Sequence, residues 1–270
     1  MREGGPVSVS TVLLSALLVL VLVFLIFPLV VVIPASFSPS AVLQFPPAGL
    51  SLRWYQDFFS GPFWLDALRL SVELGVAVAL LSTAVGLLAA VALSRYVTMG
   101  RGLLRAVVLS PLIVPVIVTA IALFDVMIRL NLVGTFPGLV IAHTILALPF
   151  PVIVLENALR SVDPNLEDAA VSLGASRLRA FVQVTLRMIM PSLLGAALFA
   201  FMASWDEVVI VLFVGGALMQ TLPVKMFEFL TTEVRPTVAS ASTLLILALV
   251  FGLLAVQLRN HARRPWRTRT

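Results

Sequence analysis

Two adjacent carboxylates inside a long apolar run are the first residues of this sequence that invite a chemical reading. Asp206 and Glu207 stand in Ser204-Trp205-Asp206-Glu207-Val208-Val209, between Ser192 and Val214. A carboxylate at a bilayer centre costs about 2.5–3.5 kcal/mol on insertion scales, so it faces a cavity or a partner. Counting ~1.5 Å per residue from Ser192 puts Asp206 ~20 Å along the run, in its outer half. Neighbours on a helix point about 100° apart. One carboxylate is therefore expected on a pathway that attracts cations and the other against a neighbouring helix. Pairing between helices, or a helix break at the outer boundary, is the structural alternative. Ser204, Trp205, Asp206 and Glu207 are the candidate lining of a solute path.

Other chemistry is sparse. Arg69 and Glu73, and Asp125 and Arg129, have the spacing of pairs along one helix face. His143 is alone in an apolar run, which fits a hydrogen-bonded packing role better than a proton relay. The chain has no cysteine and two histidines, His143 and His261. Disulfides, thiolate catalysis and zinc–thiolate sites are excluded, and no metal site is expected. There is no GxSxG elbow and no HExxH pair, so enzymatic function is not expected. No GxxxxGK[ST] motif occurs, so the chain is not expected to bind ATP or any other cofactor itself.

The segment Ser161–Pro191 reads SVDPNLEDAAVSLGASRLRAFVQVTLRMIMP. Asp163 suits an N-cap and Pro164 the first helical position. Leu166, Ala169, Ala170 and Leu173 then share a face at helical spacing. Glu167 and Asp168 lie off that face, in a first turn where negative charge complements the helix dipole. Gly174 suits the position just past a helix end, and Ser176 can cap a second helix running toward Pro191. The expectation is a short helix, a sharp turn, and a second helix leading into the next apolar run. The two alanines carry little bulk, so another protein could approach closely; an amphipathic helix lying on a membrane is the plainer reading.

The elements that must position these residues are set by composition. Of 270 residues, 60% are hydrophobic and 11% charged, whereas soluble domains carry about a quarter charged residues. The fold class is all-α, a polytopic membrane protein in contact with the lipid bilayer. A span needs roughly 20 apolar residues. Six runs serve, at about 10–33, 70–93, 103–124, 136–155, 192–214 and 238–257, in a single transmembrane domain over 1–270. The first run is too long for a signal-peptide core and lacks a clear cleavage site, so it reads as a retained helix. Pro28, Pro111 and Pro115 fall in or beside spans, where kinks are tolerated.

Of the 18 basic residues, thirteen fall on one side of this layout: Arg2, Arg95, Arg101, Arg105, Arg160, Arg177, Arg179, Arg187, Arg259, Arg263, Arg264, Arg267 and Arg269. The positive-inside rule places that side, both termini and the loop at 158–191 in the cytoplasm. The basic residues follow apolar runs and form no aromatic-interleaved stripe, so nucleic acid is not an expected partner. The long outer loop Pro34–Ala67 carries Trp54, Tyr55, Phe58, Phe59, Phe63 and Trp64. These suit anchoring at the membrane–water boundary, or docking of an external partner.

The loop also carries a resemblance. Asp168-Ala169-Ala170, then Val171-Ser172-Leu173 and Gly174, resembles the Glu-Ala-Ala-x-x-x-Gly loop of permeases of binding-protein-dependent ABC importers. It departs in Asp168 for Glu, in Val184 for Ile, and in Arg187 where the family has Pro. The resemblance implies a type I importer permease fold with Leu166, Glu167, Asp168, Ala169, Ala170, Leu173 and Gly174 in the helix that couples to an ATPase. It implies as partners a second similar permease, two cytoplasmic ATPase subunits that use ATP and Mg, and an extracytoplasmic solute-binding protein. The setting implied is the bacterial cytoplasmic (inner) membrane. The stretch Ser204–Val209 with Phe213, Gly215-Gly216, Thr221-Leu222-Pro223 and Met226, and the earlier Leu93-Ser94-Arg95-Tyr96 and Leu109-Ser110-Pro111, are similar to spermidine/putrescine-type permeases. A small cationic solute such as putrescine or spermidine is thereby implied. Another amino-containing solute (amino acid, opine or aminophosphonate) is the alternative, followed by a passive channel or secondary transporter.

Overall fold

The computed structural model describes residues 9–97, 99–217, 219–232 and 235–262. Arg2, Arg263, Arg264, Arg267 and Arg269, counted above for orientation, lie outside the described residues. The described chain is helical: α1 (Val9–Ala35), α2 (Arg53–Ser60), α3 (Pro62–Val91), α4 (Arg101–Leu109), α5 (Val116–Arg129), α6 (Phe136–Ala147), α7 (Pro149–Arg160), α8 (Asn165–Ser172), α9 (Arg177–Ala180), α10 (Leu186–Met188), α11 (Met190–Trp205), α12 (Val209–Val214), α13 (Leu222–Thr232) and α14 (Thr237–Ala262). Two wide π-helical turns, Ala92–Tyr96 and Phe181–Thr185, extend α3 and join α9 to α10.

Among the described residues three helices are long and apolar enough to cross a membrane unaided: Ser10–Ala35, Pro62–Tyr96 and Thr237–Arg259. The other expected spans are bent pairs. Arg101–Leu112 meets Val116–Arg129 at 101°, Phe136–Ala147 meets Pro149–Arg160 at 48°, and Arg177–Met188 meets Met190–Trp205 at 71°. Six spans result when each pair is counted as one. The expected straight run at 103–124 is therefore corrected to an elbow. Pro115 has φ −53° and ψ 131°, an extended start to α5; its ring removes an N–H and disfavours a helical predecessor. Pro149 and Pro191 likewise sit in the first turns of α7 and α11, where their missing N–H groups cost least. The expected run at 192–214 is also corrected. Its helix ends at Trp205 and restarts at Val209.

The chain forms two compact units, residues 1–62 with 228–270, and residues 63–227. In the first, α14 packs on α1 and α2. Trp54 Nε1 donates to the Ser38 carbonyl at 2.8 Å, Thr237 Oγ1 donates to Asp57 Oδ2 at 2.8 Å, and Ser240 Oγ donates to the Trp54 carbonyl at 3.2 Å. The aromatics of the long loop are thus not uniform membrane anchors. Trp54, Phe58 and Trp64 are buried, while Phe59 and Phe63 are exposed.

In the second unit, α5, α6, α11 and α12 close around Leu74, Val78, Leu123, Met127, Leu139 and Ile210, and a smaller core gathers Ala90, Leu155, Leu159, Val162, Ile189 and Ala196. Close approach depends on small residues, as is usual between membrane helices. A Cβ on Gly86 of α3 would stand 2.7 Å from Pro151 Cβ of α7. Large apolar side chains such as Leu80, Leu88, Leu194 and Leu198 remain exposed. This is the surface lipid must cover. The Arg69–Glu73 and Asp125–Arg129 pairs form as expected, at 2.7 and 3.0 Å.

Candidate functional site

The segment between α7 and α11 folds much as its caps dictate. Asp163 Oδ1 accepts from the Asn165 amide at 3.0 Å, and α8 follows. At its end the Ala175 amide donates to the Ala170 carbonyl at 3.1 Å and the Gly174 amide to the Val171 carbonyl at 2.9 Å. That pair of bonds is a Schellman closure. It requires the left-handed backbone that Gly174 supplies at φ +94°. Ser176 Oγ then accepts from the Arg179 amide at 3.3 Å to start α9.

The resulting helix presents Leu166, Asp168, Ala169, Leu173 and Gly174 outward, with Ala170 half-buried. Leu173 is 89% exposed and Leu178 74% exposed. A groove of about 700 Å³ runs beside the helix, lined in part by Leu88, Arg95, Tyr96, Asp168, Arg177 and Leu178.

Glu167 points the other way. Its Oε2 accepts from Arg95 Nη1 at 2.8 Å, and its Oε1 accepts from the Thr185 hydroxyl. The Arg95 guanidinium also lies over the Phe181 ring, 5.6 Å from its centroid. Arg95 belongs to the first π turn, and Phe181 and Thr185 to the second. One carboxylate thus ties α8 to the end of α3 and to the helix that leads into α11. π turns inside helices often mark functional positions. Partial burial pushes the Glu167 pKa up, but the hydrogen bonds from Arg95 and Thr185 and the charges of Arg95 and Arg177 outweigh it and hold the group below its ordinary value. Helical spacing set Glu167 beside Asp168, off the face of Leu166, Ala169 and Leu173, and the resemblance placed both in the coupling helix; the structure turns Glu167 inward and leaves Asp168 exposed.

The structure gives the residues Ser204–Glu207 different surroundings rather than one shared exposed face. Ser204 is buried, with its hydroxyl 3.0 Å from His143 Nδ1; this is the hydrogen bond expected of His143, whose Nε2 is buried with no partner among the described residues. Trp205 stacks on Phe201 at 5.6 Å between centroids. Asp206 is the exposed residue that ends α11. Glu207 Oε1 accepts from the Ile210 amide at 2.9 Å and caps α12. The pair therefore does not stand 100° apart on a continuous helix. The break assigns one carboxylate to a backbone cap and leaves the other outward.

One ionic centre escaped the sequence reading. Glu156, whose side chain is 2% exposed, accepts from Arg160 Nη2 at 2.7 Å and from Arg101 Nη2 at 3.1 Å, with Arg105 Nε at 3.7 Å. The Glu156–Arg160 spacing of four residues at the end of an apolar run was its only local signal.

A family model described as the binding-protein-dependent transport system inner membrane component matches residues 82–264. The chain is 29% identical over 256 residues to the putrescine transport system permease protein PotI of Escherichia coli, covering 92% of this chain and 91% of that one. It is 29% identical over 251 residues to the spermidine/putrescine transport system permease protein PotC of Haemophilus influenzae, covering 92% and 97%. A more distant solute appears in the diacetylchitobiose uptake system permease protein NgcG of Streptomyces coelicolor, 32% identical over 197 residues, covering 71% and 65%. In fold, the chain is similar to a bacterial ABC transporter involved in the import of the acidic polysaccharide alginate, with a TM-score of 0.73 at 17% identity, covering 91% and 94%. Apolar helices and bent pairs sufficient for six spans, the capped loop before α11 and a family match from α3 through α14 agree: the chain belongs to the inner membrane components of binding-protein-dependent transport systems.

Proposed function

We propose that this permease forms half of a translocation pathway for a small cationic solute of the putrescine or spermidine type. It works by alternating access, with a second permease of similar fold as the other half. Two cytoplasmic ATPase subunits hydrolyse ATP with Mg, and an extracytoplasmic binding protein delivers the solute. In this reading α8 is the coupling helix on the cytoplasmic side.

The observation that carries the reading is the two-sided build of α8. Leu166, Asp168, Ala169 and Leu173 are exposed, while Glu167 anchors the helix inward on Arg95 and Thr185. A helix bound only on its inner side suits a part that receives force from another subunit. ATPase closure would displace α8, and the Glu167 link would pass the displacement to the ends of α3 and α11 together. The polyamine assignment is supported by the names of relatives aligned over nine-tenths of the chain, and by the outward carboxylate of Asp206.

The test is ATP hydrolysis by the reconstituted complex with its binding protein, across putrescine, spermidine, neutral amino acids, aminophosphonates and diacetylchitobiose. Stimulation by the polyamines alone is expected. Stimulation by another solute discards the polyamine assignment and keeps the importer. Solute flux without ATP discards coupling and favours a passive channel or secondary transporter. One observation favours a second reading of the solute. Glu207 is committed to its cap, so of the two carboxylates only Asp206 is left for the path. A singly charged amino solute suits that arrangement as well as a polyamine does.

A further inference from the structure

We propose that α4 lies along the membrane surface and that Arg101, Arg105 and Arg160 together hold the phosphate headgroup of an anionic phospholipid. The proposal is independent of the solute.

Three guanidiniums surround the single buried carboxylate of Glu156, which leaves two positive charges in excess. The arginine side chains are 36%, 47% and 50% exposed in the order Arg101, Arg105, Arg160. Each guanidinium has five N–H donors. Toward Glu156, Arg101 and Arg160 each use one, and Arg105 stands too far at 3.7 Å for a hydrogen bond. The remaining donors make no hydrogen bond among the described residues, and the side chains that carry them are partly exposed. Glu156 fixes their spacing, so a phosphate would meet a cluster already arranged for it. Arginine is the side chain whose planar fork best matches phosphate oxygens.

The second observation is the elbow. α5 carries Ala120, Leu123 and Met127 into the main core, and α4 leaves it at 101°. None of the residues of α4 is buried. Arg101 and Arg105 share one face, and Leu103 and Val107, two residues on in each case, lie roughly 200° around from them. Leu103 is 72% exposed and Val107 60% exposed. Opposed arginine and apolar stripes on a helix turned sharply from the one that follows it are the layout of an interfacial helix. Basic pockets between membrane helices are where acidic headgroups lodge. A phospholipid accounts for both stripes at once, its phosphate taking the charge and acyl chains covering Leu103 and Val107. A free phosphate would leave the apolar stripe bare.

The test is binding of phosphatidylglycerol and of phosphatidylcholine to the full-length chain, read by native mass spectrometry from mixed micelles. The variant is Arg105→Gln, which keeps both hydrogen bonds to Glu156 and so spares the fold. Phosphatidylglycerol should be retained preferentially, and Arg105→Gln should weaken it about fivefold, as expected for one charge near an anionic surface. Arg105→Lys should restore most of the loss. Equal retention of both lipids, or no change in Arg105→Gln, overturns the proposal. Inorganic phosphate that displaces phosphatidylglycerol at millimolar concentration would make this a soluble-anion site and overturn the lipid. Leu103→Cys that crosslinks to another polypeptide in native membranes, in place of reacting with a lipid-soluble thiol reagent, overturns the lipid-facing placement of α4.

Discussion

Glu167→Gln isolates the anchor of α8. The change keeps size and one acceptor oxygen but removes the charge that Arg95 and Thr185 address. Hydrogen bonds to charged groups contribute about 1.5–3 kcal/mol each. Both partners retain some water, with side chains 25% and 18% exposed for Arg95 and Glu167, so screening trims the loss to about 1–2 kcal/mol. At 1.4 kcal/mol per factor of ten, α8 should detach about 5–30 times more often. Hydrogen exchange of the amides between Leu166 and Leu173 in the full chain reads that ratio directly. In the assembled importer the same variant should hydrolyse ATP with less solute moved per cycle. For the exchange measurement on the chain alone Asp168→Asn is the control, since Asp168 is exposed and its carboxylate makes no ion pair among the described residues. The pH dependence has a definite sign. The folded pKa of Glu167 is depressed below its ordinary 4.5, so the anchor is at full strength above about that value and is lost as pH falls through the folded pKa. Protection, taken relative to the intrinsic exchange rate at each pH, should be constant from neutral pH down to the carboxylate range and fall below it in the parent chain, while in Glu167→Gln it should be low throughout. Equal protection in Glu167→Gln and the parent at neutral pH would refute the anchor.

Gly174→Ala meets no heavy atom within 4 Å, so its cost is the backbone alone at φ +94°, about 1–2 kcal/mol. It should reduce uptake partly, whereas Gly174→Asp, which adds a negative charge at the C-terminal end of α8, should abolish uptake with insertion intact. Normal uptake by Gly174→Asp would remove the coupling role. Glu207→Ala should lower thermal stability by about 1 kcal/mol through loss of the α12 cap, while Asp206→Asn should leave the melting temperature alone and reduce uptake of a cationic solute. Unchanged uptake in Asp206→Asn would make that carboxylate a surface group. Gly86→Ala should destabilise the detergent-purified chain by about 1–3 kcal/mol, because the new methyl overpacks against Pro151; an unaltered melt would show that α3 and α7 can part there.

What was legible in the sequence was local. The caps at Asp163, Gly174 and Ser176 and the pairs Arg69–Glu73 and Asp125–Arg129 lie within four residues of their partners or depend on backbone alone, and all appear as read. The apolar runs were legible because lipid imposes one length and one composition on them. Their bends were less so. A proline in an apolar run announces that an N–H is missing but not whether neighbouring helices absorb the fault as a slight kink or as the 101° elbow before α5.

Charges posed the harder problem, because their meaning depends on partners far away in sequence. Glu167 and Asp168 look alike in a helical projection, yet one is taken by Arg95, 72 residues earlier, and the other is not. Arg101, Arg105 and Arg160 read equally well as orientation signals, and only the fold brings them onto Glu156. Asp206 and Glu207 invert the case. Their adjacency suggested a shared task on one helix, but two carboxylates in an apolar run also favour ending that helix. Once α11 ends at Trp205, the amide of Ile210 at the start of α12 needs an acceptor, and Glu207 is the nearest. Its cap follows from the break, and the break leaves Asp206 as the exposed one of the two.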